Sequence, residues 1–253
     1  MAIKLLVCNN KGGAGKTTIA VNLAHSLALR RKEVLLIDLD HQSHVAESLG
    51  INEDSALERL LFTNAPYHEI ITRPPQGYGF DIILNEFDFW EFMPLMKLDQ
   101  NLLAAKLKPI ESRYDYILID SGPQMSALVA WAMEYSDYTV IPAKTQFLNM
   151  IGLKNIRRML RRFANGDDSI IGIVPTMTNT RTQEYKVCKK IVGDMVGIHK
   201  FGPVIRQCAD FSKAQFKAKT VYDYATSSSN AVKDMNDLTD WLIKRMKEEN
   251  KNG

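Results

Sequence analysis

The stretch IKLLVCNNKGGAGKTTIAVNLAHSLA, residues 3–28, decides the fold. It consists of a short apolar run, a glycine-rich loop and a segment with apolar residues at helical spacing. The loop nearly matches the phosphate-binding pattern G-x-x-x-x-G-K-[ST]; Asn10 stands where the first glycine is expected, and Lys11 follows it. Because K-G-G-x-G-K-T at a strand-to-helix junction rarely arises by chance, we predict a phosphate-binding loop followed by a helix.

Each residue type in this loop has a chemical reason to be there. Glycines let the backbone curl so that its N–H groups point at phosphate oxygens, and the positive end of the helix adds to the attraction. Lys16 is expected to reach the β and γ phosphates, Thr17 to bind Mg²⁺ through its hydroxyl, and Thr18 to bond the α phosphate. The predicted nucleotide contacts in the loop are Gly12, Gly13, Ala14, Gly15, Lys16, Thr17 and Thr18.

The rest of the chain continues the alternation of strands and helices. Apolar runs rich in Val, Ile and Leu predict strands at 3–7, 33–38, 80–84, 115–120, 138–143 and 169–175. Helical patterns follow the loop and recur near 126–135, 151–164, 182–193 and 230–248. We therefore predict an α/β fold of the P-loop NTPase type, a mostly parallel doubly wound sheet with helices on both faces, as a single domain over 1–253. The polar residues 247–253 are predicted to be frayed.

Composition narrows the function classes. The chain has 253 residues, 45% of them hydrophobic, and a net charge of +3, which permits nucleic-acid contact without requiring it. Three cysteines without a C-x-x-C pair suggest neither a zinc site nor a disulfide framework. Since no run of 18 apolar residues exists, we expect a soluble cytoplasmic protein. An aromatic and methionine cluster at 86–96 is either a packed helix or a partner surface.

Carboxylates at strand ends are the candidates for holding Mg²⁺. Two strands qualify, VLLID ending at Asp38 and YILID ending at Asp120, and the residues alone do not choose between them. Asp40, in the loop after the first strand, is placed to orient an attacking water. His41 and His44 flank it and are read as ordinary loop histidines rather than metal ligands.

Taken together, three segments resemble the deviant Walker A ATPases of the ParA/MinD/Soj superfamily. They are KGGAGKTT, VLLIDLDHQS and YDYILIDSGP, and the resemblance continues through VIPAKTQFLNMIGLKNI, GIVPTMTNTRT and VIRQCADFSKAQFKAKTVYDY. By position, the resemblance implies that Lys11 is the signature lysine that crosses to the phosphates of a partner subunit. It also implies that Lys16 is the Walker A lysine and Asp120 the Walker B aspartate, that Asp40 positions water, and that Asp38 lies in the magnesium shell.

The resemblance also implies which segments flank the base of the nucleotide. At three positions this chain differs from the family pattern. The segment around Met177, Thr178 and Asn179, with Ile205 to Gln207 and therefore Arg206, would flank adenine. The family usually has D-P-Q where this chain has Asp40-His41-Gln42, and D-x-P-P where it has Asp120-Ser121-Gly122-Pro123. Ala218 stands where many members have glycine.

Within the superfamily, a ParA-type partition ATPase is the preferred interpretation. It implies an ATP-dependent sandwich dimer, non-specific DNA binding, a ParB-like adaptor that stimulates hydrolysis, a nucleoid-associated ATP state, and a plasmid, chromosome or protein assembly as cargo. The candidate DNA contacts are Arg206, Lys186, Lys189, Lys190, Lys213, Lys217 and Lys219, with solvated helix faces as the alternative.

The residues fit three other interpretations less well. A MinD-like membrane switch would use the C-terminal segment DLTDWLIKRMKEENKNG, whose polar tail favours a helix packed on the sheet instead. A nucleotide-binding scaffold without turnover is disfavoured by the joint presence of Lys11, Lys16, Asp40 and Asp120. An iron–sulfur reductase would need cysteines in segments where this chain has none.

Overall fold

The computed structural model describes residues 1–52, 54–86, 101–124, 126–145 and 149–252, with the backbone alone at 149–151 and 250–252. The predicted aromatic and methionine cluster lies outside these residues, apart from Glu86.

Six parallel strands form one sheet, and each coincides within one or two residues with a predicted strand. They are β1 (Ile3–Val7), β2 (Val34–Asp38), β3 (Asp81–Ile83), β4 (Tyr116–Asp120), β5 (Tyr138–Lys144) and β6 (Ile170–Thr176). The order across the sheet is β3-β2-β4-β1-β5-β6. The order reverses around β1, as in doubly wound folds, and the carboxyl ends of all strands meet at one edge. The predicted fold class is confirmed.

Helices connect successive strands or follow the sheet. The described α-helices are α1 (Lys16–Leu29), α2 (His44–Leu49), α3 (Ala56–Phe62), α4 (Tyr67–Ile70), α5 (Leu102–Leu107), α6 (Ala127–Tyr135), α7 (Asn149–Phe163), α8 (Gln183–Val196), α9 (Ala209–Phe216), α10 (Val221–Tyr224) and α11 (Asn230–Asn252). Short 3₁₀ turns lie at Glu111–Arg113, Gly166–Ser169 and Ile198–Lys200.

The core has two halves, one on each face of the sheet. Successive residues of β1 point to opposite halves of the core: Leu6 belongs to one cluster, and Leu5 and Val7 belong to the other. This is the period-two alternation of a strand, here with apolar residues on both sides. Helices α6, α7 and α8 contribute to the Leu6 side, whereas α1, α9 and α11 contribute to the Leu5 side.

The C-terminal helix α11 packs on the sheet rather than standing away from it. Its Met235, Leu238 and Leu242 are buried. The Trp241 ring covers Gly172 of β6 so closely that a Cβ there would lie 2.5 Å from the ring. The helix continues to Asn252, so it includes residues 247–252, which composition predicted to be frayed. Within the described residues, no helix is both long and apolar enough to cross a bilayer.

Candidate nucleotide site

The loop between β1 and α1 has the backbone of a phosphate cradle. Gly13 and Gly15 have φ of +66° and +88°, a left-handed conformation that L side chains rarely adopt. Gly12 lies outside that region, and a Cβ added to it would meet nothing within 4 Å, so the fold itself does not require glycine there. Gly13 and Gly15 therefore shape the loop, while Gly12 leaves its exposed rim open.

Neighbouring strands hold this loop in place. The Asn9 amide donates to the Pro142 carbonyl of β5, and its oxygen accepts from the Lys11 N–H at 3.1 Å. On the other side, the Thr176 hydroxyl at the end of β6 donates to the Ala14 carbonyl at 2.9 Å. The loop conformation is thus fixed by β5 and β6.

Asn10, which replaces the first glycine of the general pattern, packs against a helix. A Cβ added to Gly152 in the first turn of α7 would lie 2.5 Å from the Asn10 side-chain oxygen. Gly152 therefore provides the space that the Asn10 side chain occupies. The departure from the pattern is matched by a glycine more than 140 residues away, which sequence inspection did not find.

Two predicted lysines and one further lysine surround the loop. Lys16 is buried, 7% exposed, and its ammonium donates to the Lys11 carbonyl at 3.3 Å. The Lys11 side chain begins at the half-exposed rim beside Gly12 and Gly13. Lys144, the last residue of β5, places its ammonium 3.7 Å from where a Gly13 Cβ would be, a contribution that sequence reasoning missed.

The two candidate magnesium carboxylates are direct neighbours. Asp38 lies opposite Asp120 in the β2–β4 register, and Val7, just before the loop, lies opposite Asp120 on the other side. Asp38 accepts the N–H groups of Asp40 at 2.8 Å and Val45 at 3.3 Å. Burial first, then the nearby Asp120, raises the pKa of Asp38. Its oxygens are engaged by the loop that comes after its own strand.

Asp120 differs from Asp38 in that neither of its buried oxygens has a well-aligned hydrogen-bond partner among the described residues. Burial raises the pKa of Asp120 to about 7, against smaller opposing effects of the Thr17 hydroxyl and the Lys16 ammonium. A buried carboxylate whose contact is a poorly aligned hydroxyl, here that of Thr17, is costly unless a cation or a further donor satisfies it. Asp120 is therefore the better candidate for a magnesium ligand, while Asp38 shapes the adjacent loop.

Asp40 is held next to this pair with its carboxylate enclosed. It is buried, and its Oδ1 accepts the Gln42 N–H at 3.2 Å. A Cβ added to Gly122 would lie 3.1 Å from the same oxygen. The departure at Ser121-Gly122 thus leaves room for the Asp40 carboxylate, which a larger residue at position 122 would displace.

A cavity of about 180 Å³ opens beside the loop, between it and α9. Its lining includes Gly15, Thr18, Met177 and Arg206, so three separate segments meet there as the sequence predicted for adenine. Asn179 is not among the lining residues. Its side chain instead accepts the Arg181 N–H at 3.0 Å and closes the turn before α8, so the structure gives no support for an Asn179 contact with the base.

Arg206 reaches the cavity but its guanidinium is already paired. It donates to both carboxylate oxygens of buried Asp234 on α11, at 3.0 and 3.1 Å from Nε, with a further bond from Nη2. The Arg206 N–H donates to the same carboxylate at 2.8 Å. The side chain therefore ties the adenine-side segment to α11.

Comparison with known proteins agrees with this geometry. The family described as "AAA domain" matches residues 3–172. The sporulation initiation inhibitor protein Soj of Bacillus subtilis is 30% identical over 241 residues, covering 90% of this chain and 93% of Soj. The virulence plasmid ParA family protein pGP5-D of Chlamydia psittaci is also 30% identical over 241 residues, covering 93% and 92%. The chain belongs to the ParA/Soj family of ATPases.

The fold of this ParA/Soj family member also matches solved structures. The apo structure of McdA from Cyanthece superposes with a TM-score of 0.83 over 97% of this chain and 100% of McdA, at 19% identity. At that identity, the match supports the fold alone.

One departure from the expected family pattern, Ala218, lies where the backbone favours glycine. Ala218 follows α9 with φ of +52°, in the left-handed region where a glycine would be unstrained. An alanine in that conformation costs on the order of 1 kcal/mol. The glycine that many family members have at this position suits the same backbone.

The predicted DNA contacts lie on or beside helices that pack on opposite faces of the sheet. Lys186, Lys189 and Lys190 are exposed on α8, whose buried Cys188 and Val192 belong to the Leu6 side of the core. Lys213 and Lys217 are exposed on or just after α9, whose Ala214 belongs to the Leu5 side, and Lys219 follows them. The six lysines of this ParA/Soj family member therefore divide into an α8 set and an α9 set on opposite faces of the sheet.

Proposed function

We propose that this chain is a ParA-type partition ATPase that binds Mg-ATP, dimerises around it and hydrolyses it. The observation that carries the proposal is the meeting of Lys16, Thr17, Asp40 and Asp120 at one end of the sheet, beside a loop shaped by left-handed glycines. Such a loop directs backbone N–H groups at phosphate oxygens, and Lys16 supplies a charge next to them. These groups suit a nucleoside triphosphate.

Magnesium would be held by Thr17 and Asp120. The unpartnered oxygens of Asp120 fit a cation that completes their coordination. Among the described residues, no three His, Cys, Asp or Glu side chains are grouped to hold a metal on their own. That suits Mg²⁺, which is usually bound by one or two protein groups together with phosphates and water. When bound, it would neutralise charge on the β and γ phosphates.

Asp40 would orient the attacking water. Its carboxylate lies beside the magnesium candidates, and its charge is among those that raise the pKa of both Asp38 and Asp120. Attack of the water oxygen on the γ phosphorus breaks the bond to the leaving ADP oxygen. Positioning and charge stabilisation supply most of the catalysis in phosphoryl transfer. We expect Asp40→Ala to bind ATP but to accumulate as an ATP-bound dimer.

Lys11 would act on the nucleotide of a second copy of the chain. It stands on the half-exposed rim of the loop, whereas Lys16 is buried within it. A cation supplied from a partner to a phosphoryl transfer site is worth about 10³- to 10⁵-fold in rate. We therefore expect Lys11→Gln to keep ATP binding and lose hydrolysis, while Lys16→Ala loses binding itself.

Three measurements test these assignments together. Nucleotide affinity, hydrolysis rate and molecular mass by light scattering are compared for wild type, Lys11→Gln, Lys16→Ala and Asp40→Ala. The expected wild-type result is a dimer with ATP and a monomer with ADP. A wild-type protein that stays monomeric with ATP at high concentration argues against the dimer. Normal hydrolysis by Asp40→Ala argues against its role.

ATP-dependent, sequence-independent DNA binding would link this cycle to the nucleoid, and a ParB-like adaptor would stimulate hydrolysis. The α9 set surrounds Phe216, which is 84% exposed, so that surface combines lysines with an apolar contact. Binding through phosphate contacts weakens steeply with salt.

The two lysine sets can be separated experimentally. Replacing Lys213, Lys217 and Lys219 by glutamine is compared with the same change at Lys186, Lys189 and Lys190, using mixed-sequence DNA with ATP and with ADP. The set that touches DNA lowers the slope of affinity against salt when it is removed. Equal binding with ATP and ADP would contradict the switch. Pelleting with anionic vesicles instead of DNA would favour a membrane-positioning role.

A further inference from the structure

We infer that His44 is a positioning residue for the water-orienting carboxylate Asp40, held to it through the imidazole Nδ1–H. The inference rests on the proposed function, because it assigns His44 a part in the hydrolysis that Asp40 serves. His44 is the first residue of α2 and stands four residues after Asp40. Its Nδ1 lies 3.4 Å from Asp40 Oδ2.

The backbone between the two residues is fixed. The Ser43 N–H donates to the Asp40 carbonyl at 3.0 Å, closing a turn. Ser43 itself has φ of +50°, a left-handed conformation, and its hydroxyl donates to the Asn85 carbonyl beyond β3. A non-glycine residue keeps such a conformation only where its surroundings enforce it. The turn therefore presents the His44 ring to Asp40 in a defined place.

The two oxygens of Asp40 have different partners. Oδ1 accepts the Gln42 N–H and lies against Gly122, whereas Oδ2 faces His44. His41 is the other nearby histidine, but its Nδ1 is 3.8 Å from Oδ1, beyond hydrogen-bond distance. Within the described part of the chain, His44 is accordingly the side chain with a nitrogen within hydrogen-bond distance of the Asp40 carboxylate.

The chemistry of the pair fixes which nitrogen carries the proton. A carboxylate oxygen serves as the acceptor in such a pair, so the inference requires a proton on Nδ1 of His44. The distance of 3.4 Å is long for such a bond, and contacts of this kind tighten when the site closes on its substrate. The bond restricts rotation of the Asp40 carboxylate and so holds one oxygen toward the water. His44 acts through Asp40 and is not a catalytic residue.

Side-chain replacements at position 44 test the geometry of this bond. The His44 side chain is 46% exposed, so its removal opens no core cavity. We expect His44→Ala to lower kcat for ATP hydrolysis about tenfold, the range typical for groups that orient a reacting side chain, with unchanged ATP affinity. An asparagine amide nitrogen stands near the position of Nδ1, whereas a glutamine amide extends past it. His44→Asn should therefore restore most of the rate, and His44→Gln should not.

The matched control is His41→Ala, which removes a histidine beside the same carboxylate without a hydrogen bond. It should change kcat less than twofold. The inference is overturned if His44→Ala hydrolyses ATP at the wild-type rate, if His41→Ala is equally impaired, or if glutamine restores the rate as well as asparagine. Absence of hydrolysis by the wild type would instead count against the proposed function.

A measurement without nucleotide keeps the two questions separate. The chain has five histidines, so ¹⁵N-histidine NMR signals can be assigned with single replacements. We expect the Nδ1–H tautomer at His44 in the wild type, and the common Nε2–H tautomer in Asp40→Ala. The Nε2–H tautomer at His44 in the wild type would overturn the inference whatever the hydrolysis assays give.

Discussion

Asp38 and Asp120 end neighbouring strands with similar sequences, VLLID and YILID, and lie opposite each other in the sheet. Both are fully buried. Asp38 accepts two backbone N–H groups from the chain beyond its strand, whereas neither oxygen of Asp120 has a well-aligned partner in the described part of the chain. Two carboxylates with the same local pattern and the same burial thus differ in hydrogen bonding: backbone N–H groups satisfy Asp38, whereas the Thr17 hydroxyl near Asp120 is not well aligned with it.

The difference comes from the loop at the end of each strand. After Asp38 the chain turns at once into α2, so the N–H groups of Asp40 and Val45 point back at the carboxylate. After Asp120 the chain continues through Ser121 and Gly122, and the Ser121 N–H and hydroxyl both donate to the Val7 carbonyl instead. A strand-end carboxylate is therefore structural where its own loop satisfies it, and available to a ligand where the loop does not.

The largest effect is expected from Asp120→Asn. The amide keeps the volume but removes the charge that would hold Mg²⁺, so we predict a loss of Mg²⁺-dependent ATP hydrolysis of at least about 100-fold. Because burial disfavours the charged form of Asp120, removing its carboxylate should leave the free energy of unfolding at pH 7 unchanged or higher. Steady-state hydrolysis and urea unfolding measure the two quantities. A variant that is active, or clearly less stable, would contradict the contrast with Asp38.

Asp38→Asn is expected to give the opposite pattern. One amide oxygen cannot replace two carboxylate oxygens, and its NH₂ group would face a backbone N–H. We predict a loss of about 1 kcal/mol in the free energy of unfolding, the typical net contribution of one buried hydrogen bond. Hydrolysis should fall less than in Asp120→Asn, through displacement of Asp40. Equal loss of hydrolysis in both variants, with no change in stability, would mean that Asp38 is a magnesium ligand too.

The sequence was sufficient for the fold and for the backbone of the glycine-rich loop because both depend on local patterns. Apolar runs predicted the six strands of the sheet, and of the three glycines expected to curl the loop, Gly13 and Gly15 are left-handed whereas Gly12 is not. Pairing was harder. The different hydrogen bonding of Asp38 and Asp120 depends on the direction of individual N–H groups, and the space for Asn10 comes from Gly152 on a distant helix.

Surface assignments were least accessible from sequence. Lysines within about 35 residues of one another were grouped as a single candidate surface, yet α8 and α9 belong to opposite faces of the sheet. Lys144 was overlooked because nothing in its own segment indicates that the end of β5 lies against Gly13. The face of the sheet on which a helix packs depends on the strand order, which local periodicity does not encode.

Gly122→Ala tests whether the open loop after Asp120 also serves Asp40. The added Cβ would lie 3.1 Å from Asp40 Oδ1, too close unless the carboxylate moves by a few tenths of an ångström. We predict a three- to tenfold lower hydrolysis rate, since small misplacements of reacting groups are costly, with normal ATP affinity. Gly193→Ala on α8 is the control, because its Cβ meets only ordinary contacts at 3.5 Å. A wild-type rate in Gly122→Ala would show that Asp40 tolerates the shift.

The smallest effect concerns the stability contribution of His25, a buried histidine that, unlike Asp120, has a well-aligned hydrogen-bond partner. His25 on α1 lies 2.6 Å from the Thr220 hydroxyl and packs on the Tyr78 ring at 4.5 Å. Burial lowers the pKa of His25 to about 4, against a smaller opposing effect of Asp223. The unfolded chain therefore takes up a proton near pH 6.5 that the folded chain takes up only near pH 4, so stability is complete above this window and falls as the pH drops through it. We predict a loss of up to about 1 kcal/mol in the free energy of unfolding between pH 7 and pH 6 that is absent in His25→Gln.

Urea unfolding at both pH values measures this loss. His68→Gln, at a side chain that is 80% exposed, is the control and should keep the wild-type pH dependence. The same pH dependence in His25→Gln as in the wild type would assign the proton uptake to another group.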